Sequence, residues 1–137
     1  MRSSTTLSDE RARVLLVDDN DGMLARAASA LSPDYEIVGS VKSGQAALKA
    51  AIAVQPDVIV MDISMPGMNG LEAAANLRAA GSTAALVFLT VHDEEDFITA
   101  ARAVGAIGYV VKPRLASDLS VAVREALAGR PFVSPLR

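Results

Sequence analysis

Polar side chains that could bind a metal ion or carry a reaction follow short apolar runs along this chain. Carboxylates stand at Asp18, Asp19 and Asp62, a hydroxyl at Thr90 and an ammonium group at Lys112. Each lies at the last position of an apolar run or just after it. If these runs are neighbouring parallel strands, the groups converge at the carboxyl edge of one sheet, where open sheets bind their ligands.

A cluster of carboxylates at such an edge favours a cation. Two carboxylates about 4 Å apart repel each other by on the order of 4 kcal/mol at an effective dielectric constant of about 20. Oxygen ligands alone suit a hard ion, so the sequence predicts a site for Mg²⁺ (or Mn²⁺) at Asp18, Asp19 and Asp62. Lys112 adds a compact positive charge. Taken alone, Asp62 could equally be an ordinary loop-capping residue.

The elements that would position these groups alternate along the chain. Apolar runs predict strands at residues 14–17, 35–41, 58–61, 86–90 and 108–112. Helical spacing of apolar residues separates them, with Ser43 as a predicted N-cap and Gly105 as a predicted C-terminal cap. Strand–helix alternation implies parallel pairing through right-handed crossovers. We therefore predict an α/β fold, a doubly wound five-stranded parallel sheet in the order 2-1-3-4-5.

Composition excludes several other classes of protein. The 137 residues contain no cysteine and one histidine, so a thiolate metal site is excluded and a histidine-rich centre is disfavoured. The net charge of −3 argues against a dedicated nucleic-acid surface. Neither a membrane span nor a signal peptide is evident, so we expect a cytoplasmic protein without a membrane partner. We predict a flexible leader at residues 1–12, one domain at residues 13–129 and the start of a linker at residues 130–137.

Four motifs in this order and spacing resemble one known family. LLVDDN, VIVMDISMPGMNG, FLT and GYVVKP are similar to the receiver domain of bacterial two-component response regulators, which has the CheY-like fold. The resemblance implies that Asp62 accepts a phosphoryl group from a sensor histidine kinase, a phosphotransfer protein or a small phosphodonor. It also implies that Asp19, Asp62 and the backbone carbonyl of Ser64 hold Mg²⁺, with Asp18 acting through the water shell of the ion.

The resemblance assigns further roles around Asp62. Lys112 would pair with the phosphoryl group, and the Lys112–Pro113 bond is expected to be cis. Thr90 and Tyr109 would form a switch pair: the Thr90 hydroxyl moves to the phosphoryl group, and Tyr109 rotates inward. That motion would remodel the surface formed by the helix beginning near Asp93, the last strand and the last helix. The chain would catalyse only its own phosphorylation and dephosphorylation, so it is not expected to be an enzyme.

Some positions depart from the commonest pattern of that family. Val91 is bulkier than the Ala or Ser often found after the threonine, and it is expected to narrow access to Asp62. Ser64 and His92 lie where family members tune autodephosphorylation, although a plain surface role for His92 is the simpler interpretation.

The C-terminal half resembles one subfamily, the NarL/FixJ (LuxR-type) regulators. VHDEEDFITAARAVGAIGYVVKP followed by ALAGRPFVSP carries that resemblance. It implies a receiver cut from a longer transcriptional regulator, which would contact DNA only through a C-terminal domain absent from this sequence. A homodimer formed on phosphorylation is a further candidate partner. The alternative is a stand-alone receiver that acts by protein–protein interaction.

Two other classes of protein fit less well. A phosphatase of the haloacid dehalogenase type needs a second Asp two residues after its nucleophile, and Ser64 stands there. A flavodoxin-like cofactor binder has the same topology, but a phosphate loop after the first strand needs glycines and bare N–H groups. This chain has carboxylates at that position.

Overall fold

The computed structural model describes residues 11–135 as alternating strands and helices. The strands are β1 Arg13–Val17, β2 Glu36–Val41, β3 Val58–Met61, β4 Ala85–Thr90, β5 Gly108–Val111 and β6 Phe132–Val133. The helices are α1 Asp21–Leu31, α2 Gly44–Val54, α3 Gly70–Ala79, α4 Glu95–Ala103 and α5 Leu115–Leu127. Residues 1–10 of the predicted leader (1–12) and residues 136–137 of the predicted linker (130–137) lie outside the described residues.

All strands pair in parallel in the order β2-β1-β3-β4-β5-β6. The predicted α/β class and the order 2-1-3-4-5 are therefore confirmed. A sixth strand, β6, extends the sheet beyond β5 and was not predicted from the sequence. The fifth strand ends one residue earlier than predicted, because Lys112 begins a 3₁₀ turn at Lys112–Arg114.

The core lies in two layers, one on each face of the sheet. Along β1, Leu15 and Val17 face the side covered by α2, α3 and α4, whereas Val14 and Leu16 face the side covered by α1 and α5. These side chains are almost completely buried, as the unbroken apolar run predicts for a strand covered on both faces. Each buried Val or Leu contributes about 1.5–3 kcal/mol to the driving force for folding.

Polar caps begin the helices that follow the carboxyl edge. The Asn20 side chain accepts a hydrogen bond from the Met23 N–H at the start of α1. At the start of α3, Asn69 and Glu72 form a reciprocal capping box, each side chain accepting from the other's backbone N–H. The predicted cap Ser43 likewise accepts from Ala46 at the start of α2.

Gly70 fixes the start of α3 against the end of β3. Its N–H donates a 2.7 Å hydrogen bond to the Ile63 carbonyl, and a Cβ at this position would overlap the backbone oxygen of Asp62. Only glycine allows this approach, so the helix and the strand end that carries Asp62 are held as one unit.

The peptide bond between Lys112 and Pro113 is trans. No peptide bond in residues 11–135 is cis, so the expectation of a cis Lys112–Pro113 bond is wrong for this structure. Pro113 is instead the second residue of the 3₁₀ turn, where a trans bond carries the chain into α5.

Within residues 11–135, no helix combines the length and apolar character that crossing a membrane requires.

Candidate active site: an acidic pocket at the carboxyl edge

Backbone hydrogen bonds bring the predicted site residues to one edge of the sheet. The N–H of Asp18 donates to the Val41 carbonyl and the N–H of Asp62 donates to the Val17 carbonyl, which extends each parallel ladder by one residue. Thr90 is the last residue of β4 and Lys112 follows β5 directly. The convergence inferred from strand order is present in the structure.

Three carboxylates form an acidic pocket at this edge. Asp18, Asp19 and Asp62 each offer one oxygen, and these oxygens lie within 4.8 Å of one another. Asp18 and Asp62 are each only 4% exposed, whereas Asp19 faces solvent. Two buried carboxylates and one at the rim provide oxygen ligands with an open side toward water, an arrangement suited to a hard divalent cation.

Lys112 lies between the two buried carboxylates. Its Nζ is 3.0 Å from Asp62 Oδ2, to which it donates a hydrogen bond, and 3.0 Å from Asp18 Oδ2. Burial alone would lower the pKa of Lys112, but its close contacts with the negatively charged carboxylates of Asp18 and Asp62 outweigh burial, so the pKa is raised. The ammonium group is therefore held in its charged form beside Asp62.

One carboxylate oxygen of Asp18, Oδ2, accepts no well-directed hydrogen bond. Its Oδ1 accepts from the Asn20 N–H at 2.9 Å, but its buried Oδ2 accepts no hydrogen bond of good geometry, despite its distance to Lys112. Burial raises the pKa of Asp18, against the opposing effects of the Asn20 N–H and Lys112. Buried polar atoms normally have partners, and a cation bound between the carboxylates would supply this one.

Thr90 and Tyr109 both form hydrogen bonds with the backbone of His92. Thr90 is fully buried, and its Oγ1 accepts a hydrogen bond of 3.4 Å from the His92 N–H. The Tyr109 hydroxyl donates to the His92 carbonyl at 2.7 Å, with the ring only 2% exposed. Tyr109 thus already lies inside the fold in this structure, and the predicted inward rotation stays a prediction.

His92 also links the two loops beside Asp62, a contact that was not predicted from the sequence. The hydroxyl of Ser64 shares a 2.5 Å hydrogen bond with His92 Nε2, and the Ser64 N–H donates to Asp62 Oδ1 at 3.3 Å. The His92 ring stacks on Phe97 of α4 with a centroid distance of 4.0 Å. A signal was present in the sequence, because Ser64 and His92 each stand two residues beyond a site residue on adjacent strands.

Val91 and the backbone of Ser64 complete the surroundings of Asp62. Val91 is largely exposed at the rim beyond Thr90. The structure orders the Ser64 backbone beside Asp62, and its role as a metal ligand stays a prediction, as do the roles of Asp19 and Lys112 in phosphoryl chemistry.

Comparison with known proteins defines the class to which this fold and pocket belong. Residues 14–124 match the response regulator receiver domain family. The chain is 36% identical to the response regulator GacA of Pseudomonas viridiflava over 90% of its length, and 33% identical to the nitrate/nitrite response regulator protein NarL of Escherichia coli K12 over 93%. It spans 58% and 60% of those two proteins.

Solved structures agree with this match. A LuxR-family two-component response regulator from Aurantimonas sp. SI85-9A1 superimposes with a TM-score of 0.84 at 32% identity, covering 92% of this chain and 91% of that one. The receiver domain of the putative response regulator NarL from Mycobacterium tuberculosis gives 0.80 at 33% identity, covering 88% and 99%. This chain belongs to the response regulator receiver domain family and is a receiver domain of a two-component system, of the NarL/LuxR type.

Proposed function

We propose that this receiver domain is a phosphorylation switch in which Asp62 is the phospho-acceptor. The observation that carries the proposal is the setting of the Asp62 carboxylate, which is buried between the Lys112 ammonium group and the acidic pair Asp18 and Asp19. A carboxylate with a cation on one side and a metal-ligand cluster on the other can act as a nucleophile toward a phosphoryl group.

The phosphoryl transfer is a displacement at phosphorus, in which atoms and charge balance. One Asp62 oxygen forms a bond to phosphorus, while the bond from phosphorus to the donor breaks and its electron pair leaves with the donor. For a phosphohistidine donor, the leaving imidazole regains its lone pair. Lys112 stabilises the negative charge that collects on the phosphoryl oxygens, because its ammonium is already held 3.0 Å from the attacking carboxylate.

A divalent cation completes this electrostatic arrangement. Mg²⁺ (or Mn²⁺) bound by Asp19 and Asp62, with the Ser64 carbonyl and with Asp18 through the water shell, would supply positive charge to the transferring group. The three clustered carboxylate oxygens support this assignment, as does Asp18 Oδ2, which is ion-paired with Lys112 but accepts no well-directed hydrogen bond.

The switch is the response of the buried groups to the new charge. A phosphoryl group adds about −1.5 to −2 charge and several acceptor oxygens. The Thr90 hydroxyl turns toward those oxygens and vacates space for the Tyr109 ring, whose inward position is held by the hydrogen bond from its hydroxyl to the His92 carbonyl. The surface of α4, β5 and α5 is then remodelled.

The relatives support a wider role for this domain. We propose a cytoplasmic protein that receives the phosphoryl group from a sensor histidine kinase or a phosphotransfer protein, and that dimerises when phosphorylated. GacA and NarL are named as response regulators, and this chain spans about three fifths of their length. We therefore place it in a longer transcriptional regulator, with DNA contacted only by a C-terminal domain. Its only catalysis is its own phosphorylation and dephosphorylation.

Intact mass spectrometry after incubation with acetyl phosphate and Mg²⁺ tests this proposal. The protein should gain the mass of one phosphoryl group, Asp62→Asn should gain none, and EDTA should prevent the gain. Asp34→Asn, at an exposed turn after α1, is the matched control and should be phosphorylated normally. An unmodified wild-type protein, or an equal gain in Asp62→Asn, would exclude Asp62 as the acceptor.

A further inference from the structure

An open groove lies between the starts of α3 and α4, beside the acidic pocket. Its volume is about 500 Å³. Met65 and Pro66, from the loop after β3, line it together with Leu71. Phe97 of α4 lines the opposite side. Leu71 and Phe97 are half-buried, so part of each apolar side chain remains accessible to a partner. We call this feature the α3–α4 groove.

Short contacts hold the walls of this groove in place. The Ser64 hydroxyl shares a hydrogen bond with His92 Nε2 at one end, and the His92 ring stacks on Phe97. On the other wall, the capping box of Asn69 and Glu72 fixes the first turn of α3. The groove is therefore largely formed before a partner arrives, which lowers the entropic cost of binding.

The elements that frame the groove have an acidic character. Residues 62–77 and 86–101 contain neither lysine nor arginine, but they contain six carboxylates: Asp62, Glu72, Asp93, Glu94, Glu95 and Asp96. The last four are consecutive and exposed where α4 begins. The groove thus has an apolar centre and a charged rim, which is the usual composition of a protein-binding surface.

Helix capping accounts for only part of this negative charge. Acidic residues in a first turn stabilise a helix through its dipole, and Glu72 does so in α3 with a direct hydrogen bond to the Asn69 N–H. Glu94 is the N-cap of α4, but its side chain makes no capping hydrogen bond. Within residues 11–135, none of the four carboxylates at the start of α4 is ion-paired with a lysine or an arginine, and Glu94 is 4.0 Å from the His92 ring. Their charge therefore remains to be matched by a partner.

We propose that the α3–α4 groove binds a basic amphipathic helix of a partner protein. Apolar side chains of that helix would fill the groove, as in other helix-in-groove complexes, and its Lys or Arg side chains would face the acidic rim. Charge complementarity selects this occupant, because the rim repels nucleic acid and anionic membranes. A second copy of this chain is a poorer match, since its own net charge is −3.

This surface is distinct from the one that the proposed switch remodels. The groove lies on the side of α4 that faces α3, whereas the switch would act on α4, β5 and α5. The inference therefore goes beyond the proposed phosphorylation switch, and binding does not require Asp62 to be phosphorylated.

An NMR titration of the unphosphorylated protein with a synthetic peptide tests the proposal. The probe is a helical peptide of Leu, Ala and Lys with all its Leu side chains on one face. Amide shifts should change most at Leu71, at Phe97 and in the loop after β3. A control peptide of the same composition, scrambled so that no apolar face remains, should bind about 10-fold more weakly, because it buries less apolar surface.

Single substitutions in the protein locate the binding site. Glu95→Lys should weaken the Kd of the probe peptide about 3–10-fold, since a rim attraction becomes a repulsion. Asp34→Lys makes the same charge change at an exposed turn after α1 and should change the Kd less than about 2-fold. Leu71→Ser should weaken binding about 10-fold, whereas Ile52→Ser, on the exposed face of α2, should leave the Kd at the wild-type value.

Several outcomes would overturn the groove as the docking site. They are no binding of the probe, equal binding of the scrambled peptide, equal weakening by Glu95→Lys and Asp34→Lys, and shift changes centred on α2. Gel filtration adds one more: a dimer that Leu71→Ser dissociates would mean that a second copy of this chain occupies the groove. Because the protein is unphosphorylated throughout, none of these results bears on the role of Asp62.

Discussion

Lys112 Nζ donates a 3.0 Å hydrogen bond to Asp62 Oδ2, although fifty positions separate the two residues along the chain. The ends of β3 and β5 lie on either side of β4, so the long lysine side chain crosses the end of β4 to reach the carboxylate. The same ammonium group is 3.0 Å from Asp18 Oδ2. It therefore neutralises part of the acidic pocket in this structure, and in doing so it competes with any cation for the same oxygens.

This competition predicts opposite effects of Lys112→Met on stability and on metal binding. Removing the ammonium leaves two buried carboxylates without their cation, so the free energy of unfolding without metal should fall by about 3 kcal/mol. Mg²⁺ affinity should rise, because a like charge beside the metal ligands is gone. Urea denaturation and isothermal titration calorimetry measure the two quantities. Phosphorylation by acetyl phosphate should slow markedly, because Lys112 no longer stabilises the transferred group.

Lys42→Met is the control for that experiment. Lys42 also forms a 3.0 Å ion pair, with Asp21, but both side chains are largely exposed. Such surface pairs contribute about 0–1 kcal/mol, so stability and Mg²⁺ affinity should change little. If Lys112→Met were as mild as Lys42→Met in both assays, the buried pairing would have no energetic importance.

The Ser64–His92 hydrogen bond predicts the lifetime of the phosphorylated protein. It holds the loop after β3 against the loop after β4, next to Asp62 and beside the stacked Phe97 ring. Ser64→Ala and His92→Phe both remove this hydrogen bond, and the second retains an aromatic ring for stacking. Each should shorten the phosphorylated lifetime by about 2–10-fold, since one hydrogen bond contributes about 0.5–1.5 kcal/mol and its loss opens the loops to water.

Intact mass recorded over time after removal of acetyl phosphate gives that lifetime. The double variant should decay no faster than the faster single variant, because both substitutions break the same bond. Ser29→Ala, on the exposed face of α1, should retain the wild-type lifetime. Fully additive effects of the two substitutions would show that Ser64 and His92 act separately.

The pKa of the Tyr109 hydroxyl should lie far above that of an ordinary tyrosine. Burial, together with the negative charges of Glu94, Asp93 and Asp62, raises the pKa of Tyr109 from 10.0 to about 12. Because the folded state holds this proton more tightly than the unfolded chain, the stabilising effect is complete below pH 10 and is lost as the pH rises from 10 toward 12. The loss is on the order of 2–3 kcal/mol.

A Tyr35→Phe variant isolates this titration, since the chain has two tyrosines. The ultraviolet absorbance of tyrosinate should then rise with a midpoint near pH 12 in the folded protein. A Tyr35→Phe/Tyr109→Phe variant should lose less stability between pH 10 and 12 than the single variant. A midpoint near pH 10 in protein that circular dichroism shows to be folded would contradict the buried position of Tyr109.

The positions of Asp18, Asp62 and Thr90 were predictable because each ends an apolar run whose pattern defines a buried strand. Strand order then followed from the strand–helix alternation, which permits few topologies. Strand β6 was not predictable in the same way, since a two-residue strand has no periodicity, and Ser134 after it is recognisable as buried only once β5 and α5 are in place. The Ser64–His92 contact depends on the conformation of two loops, which apolar patterning does not determine.

The contact between Gly70 and Asp62 predicts that the acidic pocket is sensitive to a single methyl group. In Gly70→Ala the new Cβ would overlap the Asp62 carbonyl oxygen, which is backbone and cannot rotate away. Either the start of α3 or the end of β3 must shift, so we expect stability to fall by about 1–3 kcal/mol, as for overpacked sites. Gly22→Ala in α1, where the new Cβ would meet the capping oxygen of Asn20 at 3.2 Å, requires that side chain to shift only slightly and should therefore change stability by less than Gly70→Ala. Urea denaturation measures the stability of both variants, and phosphorylation by acetyl phosphate shows whether Asp62 itself is displaced. Gly70→Ala should be phosphorylated more slowly even under conditions where it is fully folded. An unchanged rate would mean that α3 moves while Asp62 stays in place.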